Sequence, residues 1–408
     1  MEEKVKIGIA GNFDSKLRGD CKIQIELTKS GGICIDLNSK VKAFFQNSIC
    51  QLVQDMLHFY AIKNAKIQIQ DLGALHYVIA ARMEAAISQL IDSNREYLLP
   101  QIKSNCDRAV RNRNRFSRLY LPGNTPYMMI NAGLHQANGI ILDLEDSVAP
   151  AKKHEARYIV RNALRSQNFY GSERMVRINQ GDMGIQDLHF VVPHHVQLIL
   201  IPKVEDKRVI IRVEEEISRI RKAHKIQSEI LLMPIIESAL GIENAFEITS
   251  ASKNIVAMAI GLEDYTADIG VKRSEGGKES LYARMKVVNA CHAARIQAID
   301  SVFSDVANVK ALQENVKASK ALGFQGMGCI HPRQIKVIHE NYAPDLQEIE
   351  KAKKIVNAYY LAKEKGLGVV SLGSKMIDAP VVKRQLKTLE LAKELGLVSE
   401  NWRETDES

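Results

Sequence analysis

Eight short apolar runs, separated by longer amphipathic segments, constrain the fold of this chain more than any other feature. Continuous apolar runs are typical of strands buried on both faces, and strands that alternate with helices form a parallel sheet. Eight such units within about 250 residues fit a (β/α)8 barrel better than an open sheet. We therefore predict an α/β fold with a TIM barrel. The runs read SRLYLPG, GIILDLED, RMVRINQ, VQLILIPK, ILLMPIIES, NIVAMAIGLED, AIDSVFSD and GFQGMGCIHP.

Residues 1–93 have a different pattern, which predicts a small α+β domain. The segments CKIQIEL and ICIDL alternate strongly on either side of TKSGG, which predicts a β-hairpin. AKIQIQ predicts a third strand, and GALHYVIAARMEAAISQLI a second helix. Helical spacing over residues 41–60 predicts the first helix, with one apolar stripe. The stripe comprises Phe44, Phe45, Ile49, Leu52, Val53, Met56 and Leu57.

Three further segments complete the predicted organisation: a basic linker over residues 94–115, the barrel over 116–344 and a helical extension over 345–408. The net charge of the chain is +8, and half of this excess lies between Glu96 and Arg118, where six basic residues face two acidic ones. RAVRNRNRFSR lacks the interleaved aromatics of a nucleic-acid surface. A solvated connector is the favoured interpretation, and a local anion site remains open.

Composition excludes several classes of protein. No run of eighteen apolar residues is present, so no membrane span is expected, and the acidic start MEEKVKIGIAGN does not resemble a secretory signal. We therefore expect a cytoplasmic location. The six cysteines form no CxxC pair, which argues against a zinc site or a disulfide framework.

Ionisable residues end nearly every predicted barrel strand. In such barrels the active site lies at the carboxyl ends of the strands, and buried charges need partners or a metal. Clustered carboxylates favour Mg²⁺, and an arginine beside them is a natural clamp for a substrate carboxylate. This combination indicates a metal-dependent carbon–carbon lyase or aldolase that acts on a hydroxy or oxo acid. The residues are Asp143, Glu145, Arg177, Lys203, Glu237, Glu263, Asp264, Asp305 and His331.

Three positions carry alternatives, and one of them, His331 at the end of the last strand, is either structural or part of the site. Asp146 precedes SVAPAKKHEAR, which starts a helix, so it is either a helix N-cap or part of the site. Lys203 could form a Schiff base, but the number of nearby acids favours an ion pair.

Seven ordered motifs between residues 111 and 389 resemble the HpcH/HpaI aldolase and citrate lyase family, in particular its citrate lyase β-subunits. The resemblance implies a Mg²⁺-dependent TIM barrel. The motifs are RNRNRFSRLYLPGN, LDLEDSV, VRIN, PIIESALGIENA, GLEDYTADIG, HPRQI and GLGVVSLGSKMIDAP.

The resemblance also implies roles for individual residues. The metal ligands fall on Glu237 and Asp264, and the substrate arginine of VRIN falls on Arg177. The acids of LDLED lie beside the metal site in the family, and they fall on Asp143, Glu145 and Asp146. Asp378 of MIDAP matches a family acid that protonates or deprotonates the acetyl carbon, and that comes from a neighbouring subunit of a trimer.

The N-terminal motifs GIAGNFDS and DLGALHYVIAARMEAAI resemble a second family, the citrate lyase γ-subunits, which are acyl carrier proteins. This resemblance implies a phosphoribosyl-dephospho-coenzyme A arm on Ser15. The chain departs from the family pattern Ser-Gly-Asp, because it reads SKLRGD, with three inserted residues. Together the two resemblances imply a natural fusion of carrier and lyase, which keeps the arm at high effective concentration near its site.

The expected reaction is retro-Claisen cleavage of a citryl thioester to oxaloacetate and an acetyl carrier. Expected partners are an α-subunit-like acyl transferase, the enzymes that attach and acetylate the arm, and further copies of the chain. Neither a nucleic acid nor a membrane is expected as a partner. Three alternatives stay open: a citramalyl-thioester lyase that releases pyruvate, a lyase of free coenzyme A thioesters, and a non-catalytic carrier or scaffold.

Overall fold

A computed structural model of the chain describes residues 6–14, 18–274, 276–364, 366, 370–372 and 375–405. The chain divides into two compact units, Met1–Ile335 and Lys336–Ser408. The first unit contains a small N-terminal sheet with its helices and an eight-stranded barrel. No helix among the described residues is long and apolar enough to cross a membrane.

The N-terminal sheet has four strands, in the order β1-β2-β4-β3. Strand β2 pairs antiparallel with β1 and β4, whereas β3 pairs parallel with β4. Helices α1 and α2 pack on this sheet. The elements are β1 (Ile7–Gly11), β2 (Cys21–Leu27), β3 (Ile33–Ser39), α1 (Lys42–Phe59), β4 (Ala65–Asp71) and α2 (His76–Ile87).

Two expectations for this domain were wrong. Strands β2 and β3 do not form a hairpin, because β4 lies between them and pairs with both. Strands β2, β3 and β4 all alternate apolar and polar residues, so alternation does not decide which strands are neighbours. Strand β4 takes the position between β2 and β3, and the TKSGG connection passes over the end of β4 to join them. The apolar stripe of α1 is also shorter than expected: Ile49 and the later members are buried, but Phe44 and Phe45 are exposed in the first turn of the helix.

All eight predicted barrel strands are present, and they form one parallel sheet in the order β11-β10-β9-β8-β7-β6-β5-β12. A parallel bridge between Asp300 and Met327 brings the two edge strands together. Almost every strand residue is buried, as the continuous apolar runs predict. The strands are β5 (Ser117–Pro122), β6 (Gly139–Asp143), β7 (Glu173–Arg177), β8 (Leu198–Ile201), β9 (Leu231–Ile236), β10 (Ala257–Ile260), β11 (Gln297–Ile299) and β12 (Met327–Cys329).

Helices follow the strands of the barrel along the chain, and the last of them, α12, crosses from the first unit into the second. Helix α4 is the most deeply buried of them, because every residue from Glu155 to Leu164 is buried. The helices are α3 (Pro126–Met129), α4 (Lys153–Ser166), α5 (Gly181–Val191), α6 (Lys207–Ala223), α7 (Ala239–Glu243), α8 (Ala245–Thr249), α9 (Leu262–Asp268), α10 (Leu281–Ala294), α11 (Val309–Leu322) and α12 (Arg333–Tyr342).

Most of the basic segment before the barrel is exposed or partly exposed, as expected of a solvated connector, but its last residue is not. Arg115 is wholly buried, and its Nε and Nη2 lie 2.7 and 2.8 Å from the carboxylate oxygens of Glu173 at the start of β7. Its Nη1 also donates to Gln297 at the start of β11. Arg115 therefore ties three parts of the chain together at the amino-terminal end of the barrel. Arg111 pairs with Glu229 at the surface.

The second unit is helical, as expected, and its two longest helices pack against each other around an apolar core. A short antiparallel pair of strands interrupts the helices within the GLGVVSLGSKMIDAP region. Its elements are α13 (Leu346–Glu364), β13 (Val370–Leu372), β14 (Lys375–Ile377), α14 (Ala379–Glu394) and α15 (Trp402–Thr405).

Candidate active site

A cavity of about 370 Å³ opens at the carboxyl ends of the barrel strands. Most of the strand-end residues singled out in the sequence converge here. Asp305 and His331 do not: Asp305 lines a different cavity, and Nδ1 of His331 accepts a hydrogen bond from the backbone N–H of Arg333. Six residues that the sequence singled out line the cavity directly: Asp143, Asp146, Arg177, Glu237, Glu263 and Asp264. Glu145 joins the same cluster through its ion pairs with Arg177 and Lys203.

Arg177 is fixed in place by two carboxylates. Its Nε and Nη2 lie 2.6 and 2.7 Å from the two oxygens of Asp143, and its Nη1 lies 3.0 Å from Glu145. Burial alone would raise the pKa of Asp143, but the bidentate guanidinium holds this pKa below its usual value. Each terminal nitrogen of Arg177 keeps a second N–H. A substrate carboxylate can therefore bind to a guanidinium that is already oriented.

Glu237 follows strand β9 and is buried at the base of the cavity. Burial raises the pKa of this carboxyl to about 7, and the negative charges of Asp264 and Glu145 add to the effect. One carboxylate oxygen accepts a hydrogen bond from the backbone N–H of Lys203 at 3.1 Å. The site thus holds more negative charge than its own cations neutralise, which favours a bound cation.

Gly261 packs directly against Glu237. A Cβ atom at this position would lie 2.3 Å from Oε1 of Glu237 and 2.7 Å from its Cγ. Because contacts under 3.0 Å require a displacement, only glycine leaves Glu237 in this position. Gly261 also precedes helix α9, whose first turn carries Asp264.

Glu237 and Asp264 offer the donor set of a magnesium site. Among the described residues, no three His, Cys, Asp or Glu side chains are arranged to hold a metal. Mg²⁺ does not require such a cage, because it binds through one or two carboxylates and keeps water or substrate oxygens as its other ligands. The half-exposed side chain of Asp264 and the buried one of Glu237 fit this mode.

Lys203 forms ion pairs, the interpretation that the sequence favoured over a Schiff base. Its Nζ lies 3.7 Å from Glu145, 3.5 Å from Asp146 and 3.9 Å from Asp264. Although burial acts in the opposite direction, these acids raise the pKa of the ammonium group, which therefore stays charged. Asp146 does not cap a helix: α4 begins only at Lys153, and Asp146 faces the cavity instead.

Arg118 and Tyr120 also line the cavity, and the sequence interpretation missed both. Arg118 was counted within the basic segment, but it is a buried strand residue whose Nη1 lies 3.0 Å from Sδ of Met233. The ring of Tyr120 lies 5.3 Å from the guanidinium carbon of Arg177. The signal was available, because residues two apart in a strand share one face.

Two further candidate residues are described separately. Ser15 falls outside the residues that the structure describes. Asp378 belongs to the second unit, where its carboxylate accepts a hydrogen bond from the backbone N–H of Val381 at 3.1 Å and so caps helix α14.

Family comparisons agree with this architecture. Residues 117–332 match the HpcH/HpaI aldolase/citrate lyase family, and residues 6–90 match an acyl carrier family described as malonate decarboxylase delta subunit. The N-terminal match confirms a carrier-type domain in the same chain as the barrel.

Individual relatives point the same way. The citrate lyase subunit beta of Escherichia coli K12 is 38% identical over 71% of this chain and 97% of its own length. The human mitochondrial citramalyl-CoA lyase is 30% identical over 67% of this chain and 84% of its own length.

Among solved structures, CitE of Mycobacterium tuberculosis in complex with magnesium, acetoacetate and coenzyme A aligns with a TM-score of 0.58. This alignment has 26% identity and covers 70% of this chain and 100% of that one. Taken together, the fold, the strand-end cluster and these matches show that the chain is a carbon–carbon lyase and belongs to the HpcH/HpaI aldolase/citrate lyase family.

Proposed function

We propose that this chain is a Mg²⁺-dependent lyase that cleaves a citryl thioester, carried on its own arm, into oxaloacetate and an acetyl carrier. One observation carries the proposal: the carboxylates of Glu237 and Asp264 lie beside an oriented Arg177 in a chain that also contains a carrier-type domain. The relatedness to citrate lyase β-subunits supports the choice of a citryl substrate.

In this proposal Glu237 and Asp264 hold the metal. Bound there, Mg²⁺ would act as a Lewis acid that polarises the substrate oxygens and stabilises developing negative charge. Magnesium in a solved relative supports this assignment. Asp143 and Glu145 hold Arg177, and Lys203 balances the remaining acids around the cavity.

Arg177 binds a carboxylate of the oxaloacetate half and orients the bond that breaks. The proton of the substrate hydroxyl passes to water, and the hydroxyl-bearing carbon becomes the ketone carbon of oxaloacetate. The electron pair of the broken carbon–carbon bond passes to the acetyl carbon. Asp378 then protonates this carbon. We propose that Asp378 comes from a neighbouring subunit of a trimer, as the family resemblance implies.

The proposal also covers the arm and the partners. Ser15 carries a phosphoribosyl-dephospho-coenzyme A group, which dedicated enzymes attach and acetylate. An α-subunit-like acyl transferase forms the citryl thioester by acyl exchange, and we expect the complex in the cytoplasm.

A second candidate substrate deserves a direct comparison, because a citramalyl-CoA lyase is also among the relatives. A citramalyl thioester lacks one carboxylate and would release pyruvate. A lyase of free coenzyme A thioesters would leave Ser15 unmodified, and a non-catalytic carrier would release neither acid.

The deciding experiment loads the carrier with a citryl or a citramalyl group and identifies the acid that is released. We expect oxaloacetate from the citryl form, and no release from Glu237→Gln protein in Mg²⁺. Glu243→Gln is the matched control, because Glu243 is exposed at the surface and should leave the rate unchanged. Pyruvate as the main product, or full activity of Glu237→Gln, would refute the proposal. The intact mass of the protein from its native host shows whether Ser15 carries the prosthetic group.

A further inference from the structure

The carrier-type domain is packed against the barrel through a buried surface on helix α2. Every residue of α2 from Tyr77 to Ile87 is buried. One side of the helix packs on strands β1 and β2, and the other packs on barrel helix α4. Asn162 of α4 donates a 3.0 Å hydrogen bond to the carbonyl oxygen of Tyr77. A helix buried on both sides cannot separate from α4 without exposing apolar surface to water.

Ion pairs cross this buried surface at two points. At the first, Arg82 of α2 is wholly buried and binds both oxygens of Asp20, at 3.0 and 2.9 Å. Its Nη1 reaches across to the barrel, at 2.7 Å from Asn124 and 3.2 Å from Glu155. At the second point, Arg161 of α4 is wholly buried and pairs with both oxygens of Glu84.

Separation of the two domains would break these ion pairs, which fix the orientation in which the carrier domain and the barrel meet. The segment between the domains is held in the same way. Arg161 also pairs with Glu96 at 3.1 Å, and Arg165 of α4 donates to the carbonyl oxygen of Leu99 at 2.7 Å. Asn105 is buried and donates to the carbonyl oxygen of Leu164. The described contacts of this segment are those of an anchored strap and not of a flexible tether.

The anchoring places the end of strand β1 next to the active-site face. Lys152 donates to the carbonyl oxygen of Gly11 at 3.0 Å, and Glu155 accepts from the N–H of Gly11 at 2.7 Å. The adjacent Lys153 donates to the carbonyl oxygen of Glu145, inside the site, at 2.9 Å. Because the two lysines are neighbours in the chain, Gly11 lies no more than about 20 Å from Glu145.

The return into strand β2 lies on the same face of the barrel. A Cβ atom on Gly19 would be 3.5 Å from Cβ of Tyr127, in the helix that follows barrel strand β5. Loops and helices that follow the strands lie at the carboxyl ends, where the cavity opens. Ser15 is separated by three residues from Gly11 on one side and from Gly19 on the other, and a four-residue segment spans at most about 14 Å.

We infer that the carrier domain stays docked on helix α4 during turnover and delivers its arm in cis to the barrel of its own chain. In this inference the prosthetic arm moves between sites, whereas the carrier domain keeps its position on the barrel. This inference rests on the proposed function, since it takes Ser15 as the attachment point. Arg82 and Arg161 are then positioning residues: they hold the carrier next to the cavity and touch no substrate. The acyl-exchange partner must approach a carrier that remains in place.

A distance measurement between the two domains tests the docking directly. In the full-length protein, spin labels are placed on the exposed Cys34 of β3 and on a cysteine introduced by Lys222→Cys in α6, after Cys50→Ser and Cys106→Ser. Pulsed dipolar spectroscopy should give one narrow distance, with or without the arm and its acyl group. A broad distribution, or a second distance in the acylated protein, would overturn the inference.

Mixed chains test delivery in cis. Chains with Ser15→Ala provide an intact barrel without an arm, and chains with Glu237→Gln provide an arm without a metal ligand. The two are mixed after co-expression or after unfolding and refolding together, so that mixed oligomers form. We expect release of oxaloacetate from the arm to stay below a tenth of the wild-type rate. Recovery to a third or more of that rate would show delivery between chains and refute delivery in cis.

The two experiments separate this inference from the proposed function. If the loaded wild-type chain releases no acid, or if Ser15 is unmodified, the proposed function fails, whatever the spin-label distance. If the wild-type chain releases oxaloacetate normally but the distance is broad, only the docking fails. Arg82→Met and Arg161→Met are poor first tests of the docking, because either substitution leaves carboxylates buried without their partners and could prevent folding.

Discussion

The acidity of Glu237 reflects its buried position beside other carboxylates. Its pKa is raised from an ordinary value of 4.5 to about 7 by burial and by Asp264. The folded, metal-free chain keeps this proton up to about pH 7, whereas the unfolded chain loses it near pH 4.5. Between these values the folded state binds more protons, so its stability falls as the pH rises.

We therefore expect Glu237→Gln to change the pH dependence of stability in the metal-free protein. The free energy of unfolding of the wild type should fall relative to that of the variant by up to about 3 kcal/mol between pH 4.5 and pH 8. Urea unfolding in chelator at several pH values measures this difference. A parallel pH dependence of the two proteins would contradict the assignment.

Gly261 predicts a second effect at the scale of one residue. In Gly261→Ala the new methyl group would overlap Oε1 of Glu237. The carboxylate of Glu237 must then move, and it no longer lies where it can bind the metal together with Asp264. Mg²⁺ affinity should fall about 10–100-fold, as for other residues that position metal ligands. Calorimetric titration of Mg²⁺ measures the change.

Gly276→Ala is the matched control for this substitution. Gly276 has no atom within 4 Å of an added Cβ and no left-handed backbone. Its Mg²⁺ affinity should equal that of the wild type. Equal affinity in Gly261→Ala would mean that Glu237 does not bind the metal.

At the scale of secondary-structure elements, Arg115 links the segment before the barrel to strand β7. Arg115→Met removes a wholly buried cation and leaves Glu173 buried without its partner. Removal of one member of a buried pair costs about 3–5 kcal/mol. The urea midpoint should therefore fall markedly, whereas Arg208→Met, at the surface, should leave it unchanged. An unchanged midpoint in Arg115→Met would refute this role.

The barrel elements were predictable from the sequence, and the reason is physical. Parallel strands buried on both faces must be continuously apolar, so each of the eight runs was visible as a strand. The N-terminal sheet was less accessible, because alternation identifies strands but not their neighbours. The sequences of β2, β3 and β4 do not indicate that β4 lies between the other two strands.

Some residues of the site could also be predicted from the sequence, and others could not. Strand-end position identified Glu237, Asp264 and Arg177 as neighbours, since the carboxyl ends of parallel strands converge. Arg118 and Arg115 were misjudged for one reason: both belong to a basic run, and a run of charges usually indicates solvent exposure. Their partners lie more than fifty residues away, so only the folded chain reveals them.

At the scale of the whole molecule, we expect the carrier domain to stabilise the barrel through its contacts with helix α4. Removal of residues 1–93 would expose the face of α4 that packs on α2 and leave Arg161 without Glu84. We expect the truncated protein to melt several degrees lower than the full chain and to bind a dye specific for exposed apolar surface.

Phe44→Ala in the full chain is the control, because Phe44 is already 87% exposed. It should change neither melting nor dye binding. A truncated barrel with the melting temperature of the full chain would contradict an energetic link between the domains.

The double burial of helix α2 also affects how the protein is made. Chains emerge from the ribosome amino terminus first, at about 5–20 residues per second. Helix α2 ends at Ile87, but its second packing partner is complete only when Ser166 has been synthesised. For several seconds, therefore, the face of helix α2 that later packs on α4 is exposed on the nascent carrier domain. During that interval it is a substrate for chaperones, and slow synthesis of the first barrel strands would prolong its exposure.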